Sequence, residues 1–181
     1  MARHWVRHVM DEATAQWVHE LQPANLDTLE ISGGKWAQTG FKTYRSLRYP
    51  EFDICQGALD ETFDLIIAEQ VWEHLAYPYR ATKHVLQMLR PGGHFLITTP
   101  FLIKYHPHPL DCTRWSADGI KYFLEECGFD RSKIKSVQWG NKMCLKANFT
   151  GWALYEPQTQ SLENEFKYPL VVWALAQRDE A

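Results

Sequence analysis

The run Phe63-Asp-Leu-Ile-Ile-Ala68 limits the fold of this chain more than any other stretch of its sequence. It is short, almost wholly apolar and rich in β-branched residues, as expected for a strand that is buried on both faces. Strands of this kind belong to parallel sheets that are covered by helices on each side. The run therefore predicts an α/β protein.

The rest of the chain alternates predicted strands with predicted helices and shows no internal repeat. Apolar spacing predicts helices over residues 9–21, 79–89 and 116–127. Further strands are predicted over residues 26–32, 44–49, 94–99, 134–139 and 170–176. Residues 35–42 fit a short helix or an extended loop, residues 52–55 fit a strand or a loop, and residues 141–168 show no convincing period. The alternation favours one domain with a mostly parallel sheet.

Net charge and cysteine usage narrow the classes of function. The formal net charge is −3 and the isoelectric point is near 6.2, so no basic footprint predicts a nucleic-acid partner. The four cysteines are widely spaced, without a Cys-x-x-Cys pair, which favours neither a zinc site nor a disulfide framework. No apolar run reaches the ~18 residues of a membrane span, and no signal-peptide core is evident. The sequence therefore predicts a cytoplasmic protein without a membrane partner.

The segment from Thr28 to Lys35 is the first place where a ligand is expected. It indicates a strand that carries the acidic residue Glu30 and stops at the glycine pair Gly33 and Gly34. Glycine has no Cβ, so a ligand can approach the bare backbone there. In open α/β sheets, ligands bind beyond the carboxyl ends of the strands. A glycine pair alone more often marks an ordinary turn, so other motifs must decide.

Three motifs, taken in order, carry a resemblance to a known family. They are Leu29-Glu-Ile-Ser-Gly-Gly34, then Phe63-Asp-Leu-Ile-Ile-Ala-Glu-Gln-Val-Trp-Glu-His-Leu75, then Leu89-Arg-Pro-Gly-Gly-His-Phe-Leu-Ile97. Residues 111–129 add an Arg-aromatic pair before a helix that ends in Cys-Gly-Phe. Together they resemble the class I S-adenosylmethionine-dependent methyltransferases, especially their small-molecule branch. The resemblance implies a Rossmann-like fold, with helices on both faces of the sheet and an antiparallel last strand.

The resemblance also implies a single methyltransferase-like domain over residues 1–181. An N-terminal helix would occupy residues 1–25 and a cofactor-binding core residues 26–129. Residues 130–181 would supply the C-terminal strands and the cover of the acceptor side. Within that cover, Trp152 and Tyr155 are expected to lie over the acceptor pocket.

S-adenosylmethionine is the cofactor that the resemblance implies, and the glycine loop would bind it. Glu30 would face the ammonium of the donor or order the loop, although capping of nearby loop amides explains this residue equally well. Ser32, Gly33 and Gly34 would let the loop backbone lie against the donor.

Four further residues would bind the donor beyond that loop. Asp53, or less favourably Glu51, would accept hydrogen bonds from the ribose hydroxyls. Ile54 would flank the adenine, and Glu69 and Gln70 would face the crevice where their strand ends.

The sequence departs from the family at the first two strands. Ser32 stands where a first glycine is usual, and Lys35 and Trp36 replace small residues. The acidic residue that normally ends the second strand has no match, since Arg48 and Tyr49 occupy that place. The helix that usually connects these strands must be short or missing.

The loop Tyr105-His-Pro-His-Pro-Leu-Asp111 is the predicted source of a general base, because histidine titrates near neutrality. His106 and His108 are the candidates, and Asp111 could orient one imidazole. A rigid lid whose histidines only bind backbone is an equally good interpretation. His-x-His beside an acidic residue could also ligate a metal. No third ligand is evident, so no metal is predicted.

Four residues are assigned to the acceptor. They are His74, Tyr105, Arg114 and Trp115. Arginine suits a carboxylate or phosphate, although a structural role is as good an interpretation of Arg114, and bracing of the following helix explains His74.

The predicted function is methyl transfer from S-adenosylmethionine to a small molecule such as a sugar or secondary metabolite. Binding and alignment can supply most of the acceleration for such a displacement. One alternative is a cyclase or isomerase that binds the same cofactor without methylating. Another is an inactive, methyltransferase-like interaction protein. A homodimer is compatible with the sequence.

Overall fold

A six-stranded mixed sheet forms the centre of the protein, whose computed structural model describes residues 3–180. The strands are β1 Asp27–Ile31, β2 Thr43–Leu47, β3 Phe63–Glu69, β4 Leu89–Pro100, β5 Ile134–Trp139 and β6 Val171–Gln177. Their order is β2-β1-β3-β4-β6-β5. Neighbours among β1 to β4 are parallel, whereas β6 is antiparallel to both β4 and β5. The predicted Rossmann-like α/β sheet with an antiparallel last strand is confirmed.

Helices cover both faces of this sheet. They are α1 Trp5–Glu20, α2 Pro78–Met88, α3 Ala117–Glu126 and α4 Lys142–Ala147. Helices α1 and α4 pack in one apolar cluster, and α2 and α3 pack in another on the opposite face. Among residues 3–180, no helix is both long enough and apolar enough to cross a membrane.

Strand β3 is buried on both faces, as its sequence predicts. Ile66 and Ala68 join the cluster under α2 and α3, whereas Leu65 and Ile67 join the cluster under α1. All four are fully buried. Because side chains alternate along a strand, a continuous apolar run can serve two layers of helices at once.

The connections near β1 and β4 settle the open interpretations. Lys35–Gln38 forms a short 3₁₀ turn and not a full connecting helix. Residues 52–55 form a turn and not a strand. The predicted turn at 90–93 lies inside β4 as an irregularity, because Phe63 pairs with Leu89 whereas Leu65 already pairs with His94.

The segment 141–168, which showed no period, contains helix α4. Asn141 caps this helix, since its side-chain oxygen accepts from the amide of Cys144 at 2.7 Å. A six-residue helix is too short for its periodicity to emerge from the sequence. Further along, the amide of Tyr155 donates to the Arg3 carbonyl and the amide of Trp5 donates to the Ala153 carbonyl, both at 2.9 Å. These bonds place the segment against the start of α1.

Candidate functional site

Two cavities meet at Ser32, beyond the carboxyl ends of β1 and β3. The first, here the charged pocket, has a volume of about 400 Å³. It is lined by Arg3, His4, Arg7, Asp11, Glu30, Ser32, Gly33, Gly34, Lys35 and Glu69. The second, here the apolar pocket, has a volume of about 490 Å³. Its walls include Ile31, Phe52, Asp53, Ile54, Gln70, Val71, His74, Leu75, Ala76 and His108. Both volumes suit a small-molecule ligand.

Glu30 orders the glycine loop from beneath. Its side chain is 1% exposed, and one oxygen accepts from the amide of Lys35 at 3.3 Å. The other oxygen accepts from the amide of Trp36 at 3.2 Å and from the hydroxyl of Tyr44 on β2. Burial, and then this bond to a carboxylate, raises the pKa of Tyr44. Glu30 thus caps nearby loop amides, as one of its two interpretations from the sequence expected.

Gly33 lies so close to Glu30 that no larger residue fits. A Cβ at this position would stand 1.8 Å from Oε1 of Glu30. The Gly33 carbonyl is held from β2, where it accepts from the hydroxyl of Ser46 and, at 3.2 Å, from the guanidinium of Arg48. Arg48, which replaces the family's usual acidic residue, therefore fixes the loop to the end of the second strand.

Two residues at the junction of the pockets adopt left-handed backbone conformations. Ser32 has φ +59° and Gln70 has φ +56°. The Gln70 side chain also donates to the hydroxyl of Thr98 at 3.1 Å. Non-glycine residues in this region store backbone strain, which concentrates at ligand sites. A glycine is the expected residue at Ser32 on conformational grounds as well as by resemblance.

Ser32→Gly is expected to raise the free energy of unfolding by about 0.5–1 kcal/mol. The left-handed conformation costs a residue with a Cβ about 1–2 kcal/mol, and the greater freedom of glycine when unfolded offsets about 0.5–1 kcal/mol of that gain. Urea unfolding measures the difference. Gln22→Gly is the matched control, because Gln22 also has φ +59° but lies after α1. A loss of stability in Ser32→Gly alone would contradict this account.

A network of four charged side chains borders the charged pocket. Lys35 Nζ lies 2.9 Å from both Asp11 Oδ1 and Glu69 Oε1. Arg7 of α1 lies 3.1 Å from Glu69 and 3.6 Å from Asp11. The Glu69 side chain is only 6% exposed. The network joins α1, the loop after β1 and the end of β3, so both signs of charge face one cavity.

The apolar pocket holds Asp53 and Ile54 on one wall. An oxygen of Asp53 accepts from the amide of Cys55 at 2.9 Å and so stabilises the turn. Ile54 is buried at 3% exposure, and its carbonyl lies 2.6 Å from Nδ1 of His84 on α2. The turn is thus fixed in place from α2, with an apolar side chain toward the cavity.

Asp111 holds the backbone of the histidine loop and not an imidazole. One of its oxygens accepts from the His106 amide at 2.8 Å and from Arg114 at 2.6 Å. Arg114 also pairs with the second oxygen. The structure thus shows a bidentate ion pair within the loop, which corrects the expected bond between Asp111 and a histidine ring. Burial, and then the charge of Arg114, lowers the pKa of His106.

The general-base candidate His108 and the remaining predicted acceptor residues lie in different parts of the structure. His74 and His108 line the apolar pocket. Tyr105 is 73% exposed. Trp115 is only 7% exposed and packs on Phe123 with ring centroids 4.8 Å apart. The structure therefore gives Trp115 a place in the core under α3.

The buried carboxylate of Glu73 lies beside two of these histidines. Glu73 is fully buried, and among residues 3–180 neither of its oxygens has a hydrogen-bond partner. Burial raises its pKa to about 8, although the charge of Arg114 opposes the shift. His74 Nε2 lies 3.6 Å from Glu73 Oε1. The rings of His74 and His106 lie 5.1 Å apart.

Sequence reasoning missed the contribution of α1 to the site. Arg7 and Asp11 belong to this helix, which the sequence indicated only as a packing element. Their spacing of four residues, which places side chains on one helix face, was the available signal. Arg3 and His4, just before the helix, also line the charged pocket.

Comparison with known proteins places the chain in a family. A model described as a methyltransferase domain matches residues 3–130, and the chain belongs to that family. A curated relative from Mycolicibacterium smegmatis, named as a probable S-adenosylmethionine-dependent methyltransferase, is 30% identical over 125 residues. The match covers 62% of this chain and 49% of that protein. The chain thus spans about half the length of the relative.

Solved structures share the fold at low identity. An S-adenosylmethionine-dependent methyltransferase from Mesorhizobium loti aligns with a TM-score of 0.59 at 17% identity, over 92% of this chain and 99% of that chain. Phosphoethanolamine N-methyltransferase 2 of Haemonchus contortus, in complex with phosphomonomethylethanolamine and S-adenosylhomocysteine, aligns with a TM-score of 0.62 at 12% identity. That alignment covers 93% of this chain and 53% of the other. These likenesses confirm the fold predicted from the motifs.

Proposed function

We propose that this protein transfers the methyl group of S-adenosylmethionine to a small-molecule acceptor. The observation that carries the proposal is the pair of pockets that meet at Ser32 beyond β1 and β3. One pocket offers charges of both signs and the other offers apolar walls, which matches a ligand with an amino-acid end and a nucleoside end. Family membership and the curated relative support the same activity.

The charged pocket suits the amino-acid end of the donor. A guanidinium is the best partner for a carboxylate, and Arg7 borders the cavity. An ammonium requires acceptors, which Glu69 and Asp11 supply. These groups already pair with one another and with Lys35, so the ligand would exchange partners within a preformed network. Glu30 then acts through the loop, whose amides it holds.

The apolar pocket suits the nucleoside end. Phe52, Ile54 and Val71 provide apolar surface for the adenine. Asp53 places a carboxylate at the same cavity. This group can accept hydrogen bonds from the ribose hydroxyls or from the exocyclic amine of the adenine. Because Arg48 and Tyr49 replace the acidic residue of the second strand, Asp53 is the carboxylate that we assign to this role.

When bound, the donor supplies an electrophilic methyl group on a sulfonium centre. The residues of this chain would bind, align and exclude water around the junction at Ser32 and Gln70. Alignment of two reactants in one site can supply a large share of the acceleration. His108 lines the apolar pocket. We therefore assign it the role of general base, which takes the proton from a hydroxyl or amine acceptor. The Haemonchus contortus complex supports a small molecule as the acceptor class.

Calorimetric titration with S-adenosylmethionine and with S-adenosylhomocysteine tests the proposal. We expect one molecule of either to bind per chain, and Ala76→Trp to weaken binding at least about tenfold, a loss of ~1.4 kcal/mol. Ala76 is exposed on the wall of the apolar pocket, so a large ring there fills the cavity without disturbing the core. Ala147→Trp, on the exposed side of α4, is the matched control. Absence of binding to both compounds at high micromolar concentration would refute the proposal.

A further inference from the structure

A cluster of three side chains, Glu73, His74 and His106, lies between the apolar pocket and the histidine loop. One ligand atom from each lies within 4.8 Å of the other two. Glu73 and His74 follow β3, whereas His106 comes from the loop after β4. The proposed binding of the methyl donor does not use Glu73.

The buried carboxylate is the first observation that points to a ligand. Glu73 is fully buried, and among residues 3–180 neither of its oxygens has a hydrogen-bond donor. A buried polar group without a partner costs free energy, and a carboxylate costs more than a neutral group. Its main chain is held tightly, because the Glu73 carbonyl accepts from the amides of Cys112 at 2.7 Å and Thr113 at 3.3 Å. The backbone of Glu73 is therefore fixed in place, while among residues 3–180 no group donates a hydrogen bond to its side chain.

The orientation of His74 is the second observation. Its Nδ1 lies within hydrogen-bond distance of the Leu110 carbonyl. A carbonyl can only accept, so Nδ1 is the donor in this contact and Nε2 is the ring nitrogen that faces Glu73. The distance from Nε2 to Oε1 of Glu73 is 3.6 Å. Histidines that bind metals commonly donate their other ring N–H to a carbonyl in this way.

We propose that Glu73, His74 and His106 bind a zinc-class divalent cation. Two imidazoles and one carboxylate are a known donor set for zinc, and imidazole disfavours magnesium and calcium. Bonds of about 2.1 Å in a tetrahedral site place ligand atoms roughly 3.4 Å apart. Glu73 and His74 already satisfy that spacing. His106 belongs to a loop without regular structure, and a shift of at most about 1.4 Å would bring its ligand atom from within 4.8 Å of the others to that spacing.

The location of the site leaves room for a fourth ligand that does not come from the protein. His74 lines the apolar pocket, so that cavity gives access to a fourth coordination position of the ion. A water molecule, or an anionic oxygen or thiolate of an acceptor, can occupy it. The cluster includes His74, one of the residues assigned to the acceptor, yet binding of the ion does not depend on the methyl donor. The sequence alone lacked the third ligand, because Glu73 lies far along the chain from His106.

Zinc titration of the chelator-treated protein, followed by competition with a chromophoric chelator, tests the site without any methyl transfer. We expect one Zn²⁺ per chain, together with a rise in melting temperature that EDTA reverses. Glu73→Gln and His106→Ala should each weaken binding at least ~100-fold, since each removes a direct ligand. Cobalt in place of zinc should give the intense visible absorption of a tetrahedral site.

His108→Ala is the matched control, because His108 lies in the same loop but outside the cluster. The zinc affinity of this variant should equal that of the parent protein. The partly exposed position of His106 lets its alanine variant keep the melting temperature of the metal-free parent. One-to-one binding that survives both Glu73→Gln and His106→Ala would overturn the proposal. No uptake of Zn²⁺ or Co²⁺ at micromolar concentration would overturn it equally.

Discussion

Glu30→Ala is expected to lower the free energy of unfolding by about 3 kcal/mol and to abolish measurable donor binding. The change removes the acceptor for two loop amides and for the Tyr44 hydroxyl. Each buried donor without a partner costs about 1–3 kcal/mol, and relief of the buried charge offsets part of the sum. The glycine loop would also lose the anchor that fixes its backbone. Urea unfolding and calorimetry measure the two effects.

Two control variants test whether the loss of stability in Glu30→Ala comes from the buried contacts of this carboxylate. Tyr44→Phe removes only one of the three donors and should cost about 1 kcal/mol. Glu61→Ala removes a carboxylate that is 62% exposed in its pair with Arg45, and it should change stability by less than about 0.5 kcal/mol. A loss in Glu30→Ala no larger than that of Glu61→Ala would contradict the assigned role.

Gly33→Ala is expected to destabilise the protein by about 3 kcal/mol, at the upper end of overpacking effects. The new methyl group would meet Oε1 of Glu30 at 1.8 Å, far inside contact distance. The loop must move away or the carboxylate must leave its two amides. Donor affinity should fall at least about tenfold, because a ~1.4 kcal/mol loss of contact energy suffices. Unfolding curves and calorimetric titration of the same sample measure both.

A double-mutant cycle tests whether the cost of Gly33→Ala comes from the contact with Glu30. In the Glu30→Ala background the carboxylate is gone, so Gly33→Ala should cost less than about 1 kcal/mol and the two changes should couple by about 2 kcal/mol. Gly57→Ala is the matched control, since no atom lies within 4 Å of its added Cβ. Strictly additive losses would show that Gly33 is required for another reason.

Much of the fold could be predicted from local sequence, because the strands and helices have strong periodic signals. The apolar run at β3 indicated burial on both faces, and the structure places its side chains in both clusters. Ser116 predicted the start of α3, and its hydroxyl accepts from the amide of Gly119 at 3.1 Å. Helix α4 was missed, since six residues are too few to show a period. Capping by Asn141 was the signal that went unused.

The candidate site was predicted less completely, because its contacts join residues that are distant in the chain. The glycine loop and the end of β3 were expected at the crevice, and they line the two pockets. The roles within the histidine loop could not be read from its sequence. Asp111 has both a histidine amide and Arg114 within reach, and only the packed loop decides that it binds them in place of an imidazole.

The sequence by itself determined the order of the strands and of the three longer helices, and it indicated the crevice where a ligand is expected, because hydrophobic periodicity and glycine placement act over a few neighbouring residues. Only the tertiary structure decided which charges meet there. It brought Arg7 of α1 to Glu69, placed Glu30 beneath Gly33, and set Glu73 beside His106. Such encounters depend on how helices pack on the sheet, and packing is a property of the whole folded chain and not of any one segment.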